Sequence, residues 1–121
     1  MNKKIQNWFL VFLWAGFIFF LSEQPDLGFG LPRLWDFFLA KSAHFLEYLF
    51  LTFLLIQALK EHQLTKKKIL ILAVVLAVGY AFSDEYHQSF ILGRQASVRD
   101  ILVDSLGVFL ITWLVQRKMI K

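Results

Sequence analysis

Charged and hydrogen-bonding side chains recur at helical intervals within the apolar segments of this sequence. Lys41, His44 and Tyr48 are spaced by three and four residues, and Glu47 lies three residues after His44. Residues at these intervals share one face of an α-helix. An ammonium, an imidazole, a carboxylate and a phenol on one face could bind a polar ligand, hold a metal ion or transfer protons.

Two later segments carry comparable polar stripes. Asp84 and Gln88 are four residues apart, with Glu85 on an adjoining stripe, and Asp100 and Asp104 are also four residues apart. An ionisable residue inside a membrane-spanning segment costs about 2.5–3.5 kcal/mol even on lenient insertion scales. We therefore expect these side chains to face one another, basic partners or water.

Two interpretations of these polar stripes are open. In the first, they form a structural ion-pair network that fixes helix packing, with Lys41, Arg94 and Arg99 as counter-charges. In the second, they line a solvent-accessible site for a ligand. The second is favoured, because packing through Gly and Ser would join helices at a lower cost.

A ligand site of this composition allows three chemistries. The first is binding of a divalent metal ion, for which the possible ligands are His44, Glu47, Glu85, His87 and Asp104. No tight motif of the HExxH type occurs, so neither a metal nor another cofactor is predicted.

The second chemistry is hydrolysis or group transfer, with a general base in the stripes and Arg94 or Arg99 on a phosphate. The catalytic candidates are His44, Asp84 and Glu85. The third is recognition of a phospholipid or lipid-linked head group, in which Arg supplies bidentate phosphate contacts. Recognition is favoured, because no nucleophile–base pair stands out in the sequence.

The elements that must position these residues are strongly apolar. Of the 121 residues, 58% are hydrophobic and 18% are charged. A soluble domain of this size buries only about two-thirds of the surface that its unfolded chain exposes. The composition therefore indicates a small integral membrane protein rather than a soluble enzyme or a disordered linker. The absence of cysteine excludes disulfides and thiol nucleophiles.

We predict an all-α membrane protein, a four-transmembrane-helix bundle that forms a single domain over residues 1–121. The helices are expected at about 5–22, 43–60, 69–88 and 100–116. The last three reach the ~20 residues that a membrane span needs only if polar residues at one end are included. A further short helix over 31–39, with Pro32 at its start and Trp35 within it, is predicted to lie in the outer interface.

Lysine and arginine fall unequally on the two sides of this bundle. The N-terminus, the second connection and the C-terminus carry nine basic residues and one acidic residue. The polar stripes and the other two connections carry four basic and eight acidic residues. The positive-inside rule then predicts cytoplasmic termini and polar stripes at the outer face. The basic clusters are interpreted as topology determinants and anionic-lipid contacts, and nucleic-acid binding is not predicted.

A long motif in the second half of the chain resembles the signature of the VanZ-like family. Residues 83–107, SDEYHQSFILGRQASVRDILVDSLG, are similar to the family pattern DExxQxFxxxRxxxxxDxxxNxxG. Residues 41–48, KSAHFLEY, resemble its KxxHFxxY, and residues 22–25 resemble its Ser-x-x-Pro. Two positions depart from the pattern, since Ala40 stands where the family often has Asp and Asp104 where it often has Asn.

The resemblance implies a four-helix membrane protein of the bacterial cell envelope. Members are associated with low-level resistance to glycopeptide antibiotics such as teicoplanin, and the resemblance implies no catalytic role. The family-typical positions carried over to this chain are Lys41, His44, Tyr48, Asp84, Glu85, Gln88, Arg94 and Asp100.

We therefore expect a multi-pass protein of the bacterial cytoplasmic membrane that binds an anionic lipid or a lipid-linked envelope precursor. The expected ligand-binding residues are Lys41, His44, Glu47, Tyr48, Asp84, Glu85, Gln88, Arg94, Arg99, Asp100 and Asp104. One alternative is a small membrane-embedded hydrolase or transferase that acts on a lipid head group. The other is a structural subunit of an envelope complex. The sequence does not predict an oligomeric state.

Overall fold

The computed structural model describes residues 2–22, 33–90 and 98–120, and the regular structure within these ranges is entirely α-helical. Its four helices are α1 (Lys3–Ser22), α2 (Arg33–Leu59), α3 (Lys66–Gln88) and α4 (Val98–Ile120). Each of the four predicted apolar helices overlaps one of them. The all-helical class predicted from the sequence is confirmed for the described residues.

The second helix starts about ten residues earlier than predicted. Residues 33–39, expected as a separate interfacial helix, form the first turns of α2, which continues without a break to Leu59. No Gly or Pro occurs between Arg33 and Leu59, so nothing in the local sequence favours an end to the helix at residue 40. The position of these turns in a membrane interface stays a prediction.

A short connection joins α2 to α3 and is fixed at both ends. Thr65 caps α3, because its side-chain oxygen accepts a hydrogen bond from the backbone N–H of Lys68 at 3.2 Å. The indole N–H of Trp8 in α1 donates to Nε2 of His62 in this connection, at 2.9 Å. The connection is therefore tied to α1 as well as to the two helices that it joins.

Helices α2 and α4 form the most extensive contact in the bundle, and α3 packs against both. Gly107 of α4 faces the backbone of α2, where an added Cβ would overlap the carbonyl oxygen of Phe45. On α3, the buried residues Ala73, Ala77 and Ala81 recur every four positions. Small residues at such intervals allow close approach of helix backbones in membranes.

Helix α1 lies at the edge of the bundle. It packs mainly against α2, has a small contact with α3, and does not contact α4 within the described residues. Tyr80 of α3 reaches across to it and donates a hydrogen bond to the carbonyl oxygen of Ala15, at 2.6 Å.

The surface of the bundle is more apolar than parts of its interior. Phe12 is 71% exposed and Leu106 is 62% exposed, whereas Gln88 and Asp104 are fully buried. Water would disfavour such an exterior, but hydrocarbon would not. This inside-out distribution indicates a membrane protein.

Three helical stretches are long and apolar enough to cross a membrane, namely Lys3–Leu21, Lys41–Leu59 and Lys66–Gln88. Helix α4 does not meet the same criteria of length, hydropathy and number of charged residues. Its uncharged stretch between Asp104 and Arg117 is shorter than the ~20 residues of a typical span. The fourth span and the cytoplasmic position of the termini therefore stay predictions.

Candidate functional site

The three polar stripes predicted from the sequence meet at one end of the bundle. This end is formed by residues 41–48 of α2, residues 84–88 at the end of α3 and residues 100–104 near the start of α4. The residues there define what we call the polar cluster: Lys41, His44, Glu47, Tyr48, Asp84, Glu85, Gln88, Asp100 and Asp104. Tyr48, Gln88 and Asp104 are fully buried, and Asp84, Glu85 and Asp100 are nearly so.

Between α2 and α4, basic groups of one helix face acidic groups of the other. The Lys41 ammonium forms an ion pair with the Asp100 carboxylate. One turn further along, His44 Nδ1 lies 3.5 Å from Asp104 Oδ1 and 3.8 Å from Glu47 Oε2. A proton on Nδ1 would therefore point towards two carboxylates and fix the orientation of the imidazole ring.

Between α2 and α3, hydrogen bonds converge on a single carboxylate oxygen. The Tyr48 hydroxyl donates to Asp84 Oδ2 at 3.1 Å, and the Gln88 amide donates to the same oxygen at 3.4 Å. Within the described residues, Asp84 Oδ1 and Asp104 Oδ2 are buried without a hydrogen-bond partner. Two buried carboxylates thus retain capacity to accept further hydrogen bonds.

The described part of the polar cluster carries an excess of acidic groups. Five carboxylates face one ammonium and one imidazole. Buried carboxylates without enough positive charge or hydrogen-bond donors are costly. Asp84 and Asp104, whose oxygens Oδ1 and Oδ2 respectively have no partner within the described residues, are therefore suited to accept hydrogen bonds from hydroxyl, ammonium or guanidinium groups.

Neighbouring side chains outside the predicted site residues hold the cluster in place. Thr52 donates to the carbonyl oxygen of Tyr48 at 2.7 Å, and the Trp14 indole N–H donates to that of Glu47 at 2.9 Å. Tyr80 stands with its ring centroid 6.3 Å from that of Tyr48. Thr52 lies four residues after Tyr48, and Tyr80 lies four residues before Asp84. This helical spacing could have identified both residues as neighbours of the cluster. Nothing in the sequence pattern indicated Trp14, because it belongs to a different helix.

Three of the residues considered for the site, Arg94, Arg99 and His87, are not among the nine residues of the cluster. Arg94 lies outside the described residues, and so does the side chain of Arg99. His87 stacks on Phe19 of α1, with ring centroids 4.3 Å apart. Within the described residues, no three His, Asp or Glu side chains are arranged to hold a metal ion.

The fold and the site together define a class: helical membrane proteins with a buried polar cluster at one end of the bundle. The family model described as VanZ/LLP1 matches residues 7–119, and the chain belongs to this family. No match was found among curated proteins or among solved structures. Family membership confirms the resemblance inferred from the motifs in residues 41–48 and 83–107.

Proposed function

We propose that this protein binds the polar head group of an anionic lipid or a lipid-linked envelope precursor in its polar cluster. The observation that carries the proposal is the burial of six polar and ionisable residues of the cluster beneath an apolar, exposed helix surface, with Lys41, His44 and Glu47 partly buried beside them. Ionisable residues inside membrane segments are expensive, and they mark binding or transport sites by default.

The chemistry of the cluster suits a head group with both phosphate and hydrogen-bond donors. Lys41, which also pairs with Asp100, supplies one positive charge, and the adjoining sequence contains two more in Arg94 and Arg99. Asp84 and Asp104 can accept hydrogen bonds from hydroxyl or ammonium groups of the same head group. An anionic head group that also bears such donors satisfies both sides of the cluster.

The proposed location is the outer leaflet of the bacterial cytoplasmic membrane. The distribution of basic residues supports it, because the connection between α2 and α3 and both termini are rich in Lys and Arg. The link to glycopeptide resistance is likewise a proposal, and family membership supports it. A site that binds envelope lipids would alter the surface that such antibiotics reach.

A second candidate function is supported by the surroundings of His44. Its Nδ1 faces Asp104, which would leave Nε2 as a proton acceptor if the ring is neutral. This is the arrangement of a general base oriented by a carboxylate. The second proposal is therefore a small hydrolase or transferase that acts on the bound head group.

Mass spectrometry of lipids that co-purify with the protein tests the binding proposal. Tyr48→Phe removes one hydroxyl from the cluster, and Tyr80→Phe is a matched control because its hydroxyl bonds to Ala15 instead. We expect the wild type and Tyr80→Phe to retain one anionic lipid species above the host-membrane background. Tyr48→Phe should retain less of it. Equal lipid profiles in all three proteins would contradict the proposal.

A further inference from the structure

A groove runs between α3 and α4 at the end of the bundle opposite the polar cluster. It is formed by the first half of α3 and the second half of α4, and its volume is about 620 Å³. Val74 and Val75 of α3 and Phe109 of α4 are among the apolar residues that line it. Volumes of 300–1,000 Å³ are typical of sites that bind small molecules.

The length of the groove matches one leaflet of a membrane. From Lys66 to Val75, which both line it, α3 rises by about 14 Å. Half of a hydrocarbon core ~30 Å thick is about 15 Å. An acyl chain that enters from the surface can therefore follow the groove through most of a leaflet.

The groove has positive charge at one end, which favours an anionic head group. Lys66 and Lys67 line its polar end, and no acidic residue is among the described residues that line it. Lys60 and Lys68 are exposed and close by in sequence, but neither is among the described residues that line the groove. Basic pockets between transmembrane helices on the cytoplasmic side bind anionic lipid head groups. Gln116 of α4 offers a neutral hydrogen-bonding group in the same groove.

We propose that this groove is a binding site for an anionic diacyl phospholipid, separate from the polar cluster. An acyl chain lies along the apolar residues of α3 and α4, and the phosphate contacts Lys66 and Lys67. The occupant is a lipid rather than free phosphate, because the apolar part of the groove requires a chain.

Native mass spectrometry of the full chain in detergent, titrated with phosphatidylglycerol or phosphatidylcholine, tests this site. We expect tighter binding of phosphatidylglycerol to the wild type. The double variant Lys66→Gln/Lys67→Gln should lose roughly 10- to 30-fold in phosphatidylglycerol affinity, because each lysine near a membrane surface contributes to anionic binding. Lys60→Gln/Lys68→Gln removes the same charge from the same end and should retain most of the affinity.

A third variant tests the apolar part of the groove. Val75 is exposed, so Val75→Trp can fill the groove without disturbing the buried contacts, and it should weaken phosphatidylglycerol binding. Inorganic phosphate should not compete for the site. The proposal is overturned if phosphatidylcholine binds as tightly, or if the two lysine double variants lose affinity equally. It is also overturned if Val75→Trp binds like the wild type, or if phosphate displaces the lipid.

Discussion

His44 is the side chain whose role differs between the binding proposal and the enzyme proposal. Its Nδ1 faces Asp104 and Glu47, and its side chain is only 12% exposed. An imidazole is the group best able to exchange protons near neutral pH. In the binding proposal it acts only as a hydrogen-bonding group that helps to shape the polar cluster.

His44→Gln should therefore be partly tolerated. Glutamine keeps a hydrogen-bonding amide but cannot exchange protons at neutral pH, so we expect a cost of about 0.5–1.5 kcal/mol in lipid affinity. The measurement is lipid binding by the purified, folded variant. Complete loss of function in a folded His44→Gln protein, together with accumulation of an unprocessed lipid in the membrane, would instead support the enzyme.

Asp104 offers a second prediction, because its carboxylate is fully buried. Asp104→Asn keeps an oxygen that can accept from His44 and removes a buried negative charge. We expect its free energy of unfolding to equal or exceed that of the wild type, since the desolvation cost of the charge disappears. Thermal denaturation in detergent measures this, with Asp104→Ala as the control that leaves a cavity. An Asn variant as unstable as the Ala variant would show that the fold requires the charge itself.

At the scale of residues, the sequence predicted which side chains meet but not how they pair. The intervals of three and four residues placed His44 and Tyr48 on one face, and both lie in the cluster. Periodicity carries no information about rotation of one helix against another. The pairing of Lys41 with Asp100, and of Tyr48 with Asp84, therefore required the structure.

Among the helices, α2 and α4 bring the cluster together through a single close contact. Gly107 lies three residues after Asp104 and packs on the backbone near Phe45, which directly follows His44. The lack of a side chain at Gly107 thus allows the approach that places Asp104 beside His44. Because glycine costs helix stability relative to alanine, close packing is the physical reason for its use here.

Gly107→Ala should destabilise the protein, because the added Cβ would overlap a backbone carbonyl and force the helices apart. We expect a loss of about 1–3 kcal/mol in the free energy of unfolding, together with weaker lipid retention. Gly79→Ala is the matched control, since its Cβ would meet nothing within 4 Å and alanine favours the helix. Equal effects of the two substitutions in a denaturation series would contradict this role for Gly107.

Helix positions were more predictable than helix lengths. Uncharged runs such as residues 69–82 identified the cores of the helices because hydropathy reports directly on membrane insertion. The predicted start of α2 was wrong. Trp35, Phe37 and Phe38 also suit an interface and were assigned to a separate helix, although no Gly or Pro separates them from the rest of α2. At the polar end of the bundle, amino-acid composition does not distinguish a separate interfacial helix from the first turns of a longer helix.

For the whole molecule, the predicted orientation in the membrane, with cytoplasmic termini and the polar cluster at the outer face, can be tested directly. The chain has no cysteine, so single cysteines can be introduced at Thr65 and at Gln95 without a background. We expect a membrane-impermeant thiol reagent to label Gln95→Cys on intact cells and Thr65→Cys only after the cells are opened. The reverse pattern would invert the topology and place the polar cluster at the inner face.

The central claim is that the polar cluster binds a lipid head group rather than merely holding helices together. Glu85→Gln changes a buried carboxylate of the cluster to its isosteric amide, and Glu61→Gln makes the same change near Lys3 at the opposite end. A ligand that binds only the folded state raises the melting temperature. The decisive measurement is the melting temperature of delipidated protein before and after addition of the polar lipid extract of the host. We predict similar melting temperatures for all three delipidated proteins. On adding lipid, the rise should be smaller for Glu85→Gln than for the wild type and Glu61→Gln, because only lipid in the groove between α3 and α4 still stabilises this variant. A low melting temperature of delipidated Glu85→Gln, with an undiminished rise on adding lipid, would contradict the claim.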